Sequence, residues 1–351
     1  MRLPGLIDIH VHMREPGATH KEDWDSGTAA ALAGGFTVVL AMPNTQPPIT
    51  DSAALAVVEQ AAQTKARCDY GIYLGAGADN IDKLLPLADH AVGLKMYLDQ
   101  TFGSLRLDDM SLWAKHLSGL PKHLPVVAHA EGRSIAAIIL IASLFDHPIH
   151  LAHVSTKEEI LLIRQAKEKG IQVTCEVCPH HLFLSEKDIP AIGARRSEVR
   201  PMLRSEEDRC SLWENLEVID CFATDHAPHT LAEKDSPKPP PGYPGLETAL
   251  PLFLTAIHEG KLTLDDVIRR LNTNPRRIFN IPEQPDTWID VDMDETWEIR
   301  AAETYTRCGW TPFEGRKVRG RLRQVTLRGK LAFDSGKMYA QPGSGLNIRR
   351  K

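Results

Sequence analysis

Two histidines one residue apart, His10 and His12, lie in the run Asp8-Ile9-His10-Val11-His12. Apart from its ionisable groups the run is apolar and β-branched, and it reads as a strand. Side chains alternate along a strand, so both imidazoles face one side at its end, where neutral imidazoles are ligands for a metal such as zinc. Taken alone, the pair also reads as two ordinary loop histidines. It does not stand alone. His129, His153 and Asp225, the last in Thr224-Asp225-His226-Ala227-Pro228-His229, each end a separate β-rich run. Lys95 lies inside the apolar run Val92-Gly93-Leu94-Lys95-Met96-Tyr97. A buried ammonium is costly unless paired or neutralised. With a depressed pKa its amine could add carbon dioxide and become a carbamate, an anion able to bridge two metal ions. The alternative is Lys95 paired with Asp225 and no metal. Glu176 ends a further run, Cys175-Glu176-Val177-Cys178. On a strand Cys175 points away from Glu176, and no second Cys pair exists. Both thiols therefore read as structural, and Glu176 is assigned to the same rim.

The elements that must position these groups follow from periodicity. Eight apolar runs read as strands: 6–12, 36–42, 70–75, 92–98, 125–129, 149–153, 172–177 and 219–225. Amphipathic or Ala-rich segments lie between them at 21–33, 53–65, 108–117, 134–145, 157–169 and 206–215, with a weaker one at 80–88. Strands apolar on both faces, alternating with helices, indicate a parallel sheet. Eight such units predict an α/β fold of the (β/α)8 barrel type, in which strand C-terminal ends converge on one rim. A doubly wound open sheet is the alternative. Helical patterns continue at 246–258 and 264–271, and 272–281 reads as a loop and short turn. Short strands are expected at 288–291, 297–299, 324–327 and 330–333. This predicts a barrel domain over 1–285 and a small β appendage with a tail, formed by the C-terminal part, over 286–351. The Pro-rich stretch 237–241 reads as a loop.

Composition excludes other classes. The chain has 351 residues and a formal net charge of −5. A basic nucleic-acid footprint is absent, and Arg195-Arg196 and Arg349-Arg350-Lys351 read as a solvated face and a tail. No apolar run reaches the ~18 residues of a membrane span, and no signal peptide is recognisable. Six cysteines show no disulfide framework, which predicts a reducing, cytoplasmic setting.

The motif His10-Val11-His12-Met13-Arg14-Glu15-Pro16-Gly17 resembles the opening motif of dihydroorotases of the amidohydrolase superfamily. Lys95, His129, His153 and Asp225 match the remaining metal ligands of that superfamily in order. The resemblance covers nearly the whole chain, including Met42-Pro43-Asn44-Thr45, Glu198-Val199-Arg200-Pro201, 240–248 and 274–279. These segments look like the dihydroorotase domain of the animal multifunctional protein that also holds carbamoyl-phosphate synthetase and aspartate transcarbamoylase. The resemblance implies one zinc on His10, His12 and Asp225, a second on His129 and His153, and carboxylated Lys95 bridging both. It adds a third zinc on Glu176 with a histidine of the first pair. It implies the reversible cyclisation of N-carbamoyl-L-aspartate to L-dihydroorotate, with a zinc-bridged hydroxide and Asp225 as proton shuttle. Arg14, Asn44 and His229 would hold the ring carboxylate. Arg200 and Pro241 would be further substrate contacts, and Thr101 and Phe102 would belong to a closing loop. A homodimer is implied by the family alone. Alanine at 152 stands where that domain would have cysteine, which removes a thiol but no ligand. The N-terminal strands common in amidohydrolases are not recognisable. Two rivals remain: another cyclic-amide hydrolase such as an allantoinase or dihydropyrimidinase, and an inactive dihydroorotase-like scaffold. Arg14 argues against the first, since neither sister enzyme binds a ring carboxylate, and the full ligand set argues against the second.

Overall fold

The computed structural model describes residues 1–349. Arg350 and Lys351 of the expected basic tail lie outside the described residues. Eight strands form one sheet in sequence order: β2 (Leu6–Val11), β3 (Phe36–Ala41), β4 (Asp69–Gly75), β5 (Gly93–Tyr97), β6 (Val126–His129), β7 (Ile149–Leu151), β8 (Val173–Val177) and β9 (Cys221–Phe222), preceded by a short strand β1 (Arg2–Pro4) outside it. Every pairing is parallel. A parallel bridge from Val11 to His226 closes the sheet into a barrel, so the open-sheet alternative falls. The strands are buried on both faces, as their unbroken apolar runs require.

Helices surround the barrel, and their starts are written in local sequence. Asp23, Asp51, Thr156 and Ser205 each accept a backbone N–H in the first turn of Trp24–Ala33, Ser52–Lys65, Lys157–Glu168 and Glu206–Glu214. Such a cap satisfies a donor that the helix itself leaves orphaned. The shortest strand, β9, is held by Phe222 stacking on Phe253 of helix Leu246–His258, with ring centroids 4.3 Å apart. Among the described residues no helix is long and apolar enough to cross a membrane, and all six cysteines are free.

Five expectations need correction. The runs predicted as strands through His153 and Asp225 stop at Leu151 and Phe222, because those two residues take left-handed backbone, φ 36° and 45°, and leave the ladder. The expected loop 272–281 is a π-helical turn, Arg269–Thr273, followed by helix Asn274–Phe279, with Pro275 in the first turn. Proline is suited to that position because the N–H it lacks would be unpaired there. The appendage is not built from the C-terminal part alone. Its sheet runs β1, β10 (Trp288–Glu298), β11 (Lys317–Leu327), β12 (Lys330–Asp334), β13 (Lys337–Met338), all antiparallel, so Arg2–Pro4 supply an edge. The two short strands read at 288–291 and 297–299 are one strand, β10, whose register shifts twice against β11 and so hides its alternation. Lastly, Arg349 is not part of a solvated tail: its guanidinium donates to the carbonyls of Ala91, Phe279 and Asn280 at 3.1, 2.6 and 2.9 Å.

Candidate metal centre and substrate pocket

The C-terminal ends of β2, β5, β6, β7, β8 and β9 bring together the residues the sequence singles out. His10 and His12 direct Nε2 at the same oxygen of Asp225, at 3.2 and 3.0 Å. Their other nitrogens are engaged. His10 Nδ1–H donates to Glu176 at 2.5 Å, and His12 Nδ1–H donates to Asn44 Oδ1 at 2.6 Å. Both rings therefore point an Nε2 lone pair at a carboxylate. Three such electron-rich atoms together fit a shared cation, and they meet the geometric condition for a metal-holding group.

A second set lies beside the first. His129 Nδ1 faces His153 Nε2 at 2.8 Å, and the opposite nitrogens of both rings are buried without a hydrogen-bond partner. Lys95 is fully buried on β5, and its ammonium has no partner either, so the alternative Lys95–Asp225 ion pair is not formed. Burial pushes Lys95 down to about 8, although Glu176 and Asp225 pull the other way. Burial likewise lowers His12 to about 4 and His129 to about 3, Lys95 adding to the latter, which keeps both imidazoles neutral and ligand-competent. For Asp225, burial works upward, but His10 and His12 outweigh it and hold the carboxyl well below its ordinary value. The donor set and the orphaned nitrogens thus fit the metals the sequence implies.

Sequence reasoning missed several supporting groups. His150 on β7 donates Nε2–H to Glu176 at 3.1 Å while Thr174 donates to its Nδ1 at 2.8 Å. Asp8 accepts from His10 N–H and from the Thr224 hydroxyl, and so ties β2 to the segment before Asp225. His150 was legible only as an alternating position on a strand read as core. Cys178, read as structural, gathers with His180 and His181 in a second group of ligand-type atoms. Burial, with Asp225 and Glu176 nearby, pushes its thiol well up.

The substrate-side residues converge too. His12, Arg14, Asn44, Thr101, Phe102, Arg200, Asp225 and Pro241 line one pocket, a cavity of about 20 Å³. That volume is on the order of one water molecule. Asn44 links the two halves: its Oδ1 accepts from His12 while its Nδ2 donates to the Phe102 carbonyl at 3.1 Å. Arg14 is 6% exposed, and among the described residues it forms no ion pair. Two acidic residues close to Arg14 in sequence pair elsewhere, Glu15 with Lys65 and Asp23 with Arg307. Arg14 instead donates Nε–H to the Pro228 carbonyl and sets Nη2 3.0 Å from His229 Nε2. Three residues here, Arg14, His153 and Asp225, hold left-handed backbone without being glycine. That conformation costs energy and concentrates at functional sites.

The loop carrying Arg200 and Pro241 is pinned by Lys234. Its fully buried ammonium donates to the carbonyls of Glu198, Pro240 and Gly242 at 2.6, 3.0 and 3.3 Å, over the rings of Tyr243 and Trp310. Gly242 must be glycine, since its φ is +142° and a Cβ would lie 2.4 Å from the Ala227 carbonyl oxygen. Lys234→Met removes the donor from the Pro240 and Gly242 carbonyls, while the Glu198 carbonyl keeps the Gly242 N–H. We expect it to lower unfolding free energy by about 2–4 kcal/mol, measured as a lower urea midpoint at unchanged slope. A parental midpoint would show that the ammonium does not hold this loop.

A family model described as dihydro-orotase-like matches residues 1–84. The chain is 57% identical to "Multifunctional protein CAD" from Squalus acanthias over 99% of its own length, but it spans only 16% of that relative. It is 36% identical to a dihydroorotase from Pyrococcus furiosus, over 97% of this chain and 83% of that protein. Among solved structures it is similar to the inactive dihydroorotase-like domain of a CAD-like multifunctional protein from Chaetomium thermophilum, with a TM-score of 0.86, 31% identity and 99% of each chain covered. With a full-length relative at that identity, and with the barrel and its rim of histidines on the page, the chain belongs to the dihydroorotase family of amidohydrolases.

Proposed function

We propose that this chain is an active dihydroorotase: N-carbamoyl-L-aspartate plus a proton gives L-dihydroorotate plus water, reversibly. The observation that carries the reading is Arg14. A buried guanidinium without a carboxylate partner, opening beside a metal-fitting cluster, is costly unless a ligand supplies the anion. The ring carboxylate of dihydroorotate is that anion, and neutral cyclic amides lack it.

In this reading His10, His12 and Asp225 would hold one zinc ion, and His129 and His153 a second. Lys95 would lie between them as its carbamate, formed when the amine nitrogen bonds to carbon dioxide and releases a proton. Glu176 with His10 would hold a third ion. When bound, such ions supply Lewis-acid polarisation of the amide carbonyl and acidify the attacking water. The protein groups do the rest. Arg14, His229 and Asn44 orient the ring by its carboxylate, and Arg200 and Pro241 line its flank. Thr101 and Phe102 close over it and exclude water. Asp225 takes the proton from the attacking water and passes it to the leaving ring nitrogen. We further place the chain in a cytoplasmic polypeptide beside carbamoyl-phosphate synthetase and aspartate transcarbamoylase, as a homodimer. The 57% identity to the multifunctional relative supports that setting.

The test is zinc content together with turnover of dihydroorotate and of dihydrouracil. Full zinc with dihydroorotate turnover supports the reading. Efficient dihydrouracil turnover would move the chain to another cyclic-amide hydrolase, and full zinc without turnover would leave a scaffold. Arg14→Ala should keep zinc, since Arg14 is not a ligand, and depress kcat/KM for dihydroorotate by roughly a hundredfold, the cost of one charge-assisted pair. An unchanged KM for that variant would remove Arg14 from the carboxylate pocket.

A further inference from the structure

Lys21 is a buried lysine that the reaction as described does not use. It lies in the segment after β2, 6% exposed, and its ammonium contacts His229 Nδ1 at 3.0 Å and Glu233 at 3.0 Å. An ammonium can only donate, so His229 Nδ1 must accept. On the other side of the same ring, Nε2 faces the Pro241 carbonyl oxygen at 3.0 Å. A carbonyl can only accept, so Nε2 must carry the proton. The two contacts, from separate elements, fix the same tautomer. Arg14 Nη2 then lies 3.0 Å from a nitrogen that cannot accept from it.

We propose that Lys21 is a positioning residue for substrate selection: by keeping the proton of His229 on Nε2, where Pro241 accepts it, Lys21 denies Arg14 Nη2 an acceptor on that ring and leaves this donor for a carboxylate. The inference rests on the dihydroorotase reading of this pocket. A guanidinium N–H left without an acceptor on the protein suits a carboxylate oxygen, through a charge-assisted hydrogen bond. Without Lys21 the imidazole is free to move its proton to Nδ1, and Nε2 then accepts from Arg14. That Arg14 donor would then be spent on the ring and lost to the substrate. The same ammonium lies 4.9 Å from the centre of the Phe102 ring, and the Arg14 guanidinium carbon lies 5.5 Å from it. Phe102 also packs edge-on against His229, with ring centroids 5.3 Å apart. Lys21 therefore reaches both the ring that would meet the carboxylate and the side chain that would close over it.

The experiment compares the zinc-loaded parent with Lys21→Met, which keeps the apolar stem but cannot donate, and Lys21→Gln, whose amide N–H can. We expect Lys21→Met to retain zinc and to raise KM for dihydroorotate about tenfold with kcat changed less than about threefold, the pattern of lost uniform binding. Lys21→Gln should recover most of the KM. Nitrogen-15 NMR of histidine-labelled protein should show the proton of His229 on Nε2 in the parent and in Lys21→Gln, and redistributed to Nδ1 in Lys21→Met. A parental KM in Lys21→Met, an unmoved tautomer, or equal losses in Lys21→Met and Lys21→Gln would overturn the proposal. If the parent turns over no dihydroorotate, the functional reading itself has failed. If the parent is active and Arg14→Ala raises KM while Lys21→Met does not, this inference alone has failed.

Discussion

Lys95→Ala should abolish nearly all turnover and lower zinc content together. The side chain is fully buried, unpartnered and depressed toward neutrality, so the parent amine is free to react with carbon dioxide. In the proposed reading the carbamate oxygens would hold two ions, and losing them would remove several kcal/mol of transition-state stabilisation. At about 1.4 kcal/mol per tenfold, that is on the order of a thousandfold or more in kcat. Lys95→Arg should fail as badly, because a guanidinium stays protonated and forms no carbamate. Lys95→Glu restores a carboxylate on a shorter stem, and we expect partial zinc with little turnover. Elemental zinc analysis and a dihydroorotate assay on the same preparations check all three. An active, zinc-loaded Lys95→Ala protein, or a crystal structure of the active parent with no density beyond Nζ, would end the bridging role.

Asp225→Asn should be nearly as damaging for a different reason. The amide is isosteric but carries no proton between water and ring nitrogen, and general acid–base contributions run to about 10²–10⁴ in rate. The sign of the parent's pH dependence follows from the same group. His10 and His12 hold Asp225 ionised well below its ordinary range, against the upward pull of burial. Hydrolysis needs the carboxylate ionised, so its rate should climb with pH only through the acid range, below the ordinary carboxylate pKa, and be level with respect to Asp225 above it. Cyclisation consumes a proton and needs Asp225 protonated, so its rate should decline as pH rises. Initial rates measured in both directions across pH check this. The same trend in both directions would remove Asp225 as sole shuttle.

Much of this site was legible because its residues break the pattern around them. Lys95 is a charge inside an apolar strand. His129, His153 and Asp225 are polar ends of apolar runs. The barrel followed from alternation alone, and the closure at Val11 and His226 needed the structure. What stayed hidden carries no local signal. Arg2–Pro4 is too short to show a period, and its pairing partners lie at Trp288–Asp290. His150 and Thr174 occupy strand positions that read as core, yet together they orient Glu176. Lys21 looked like the polar start of a helix. Its contact with His229, 208 residues away, is a product of barrel closure.

The left-handed backbone at Arg14, His153 and Asp225 sets a direction for evolutionary drift. Each such residue costs on the order of 1 kcal/mol or more relative to a relaxed backbone, and a domain's whole margin is only about 5–15 kcal/mol. Glycine adopts the same angles freely. At these three positions, then, selection for turnover and selection for stability pull apart. A copy of this barrel kept only for its shape would move downhill by exchanging Arg14, His153 and Asp225 for glycine. Under the proposed function, these side chains would be held in place by use, not by the fold.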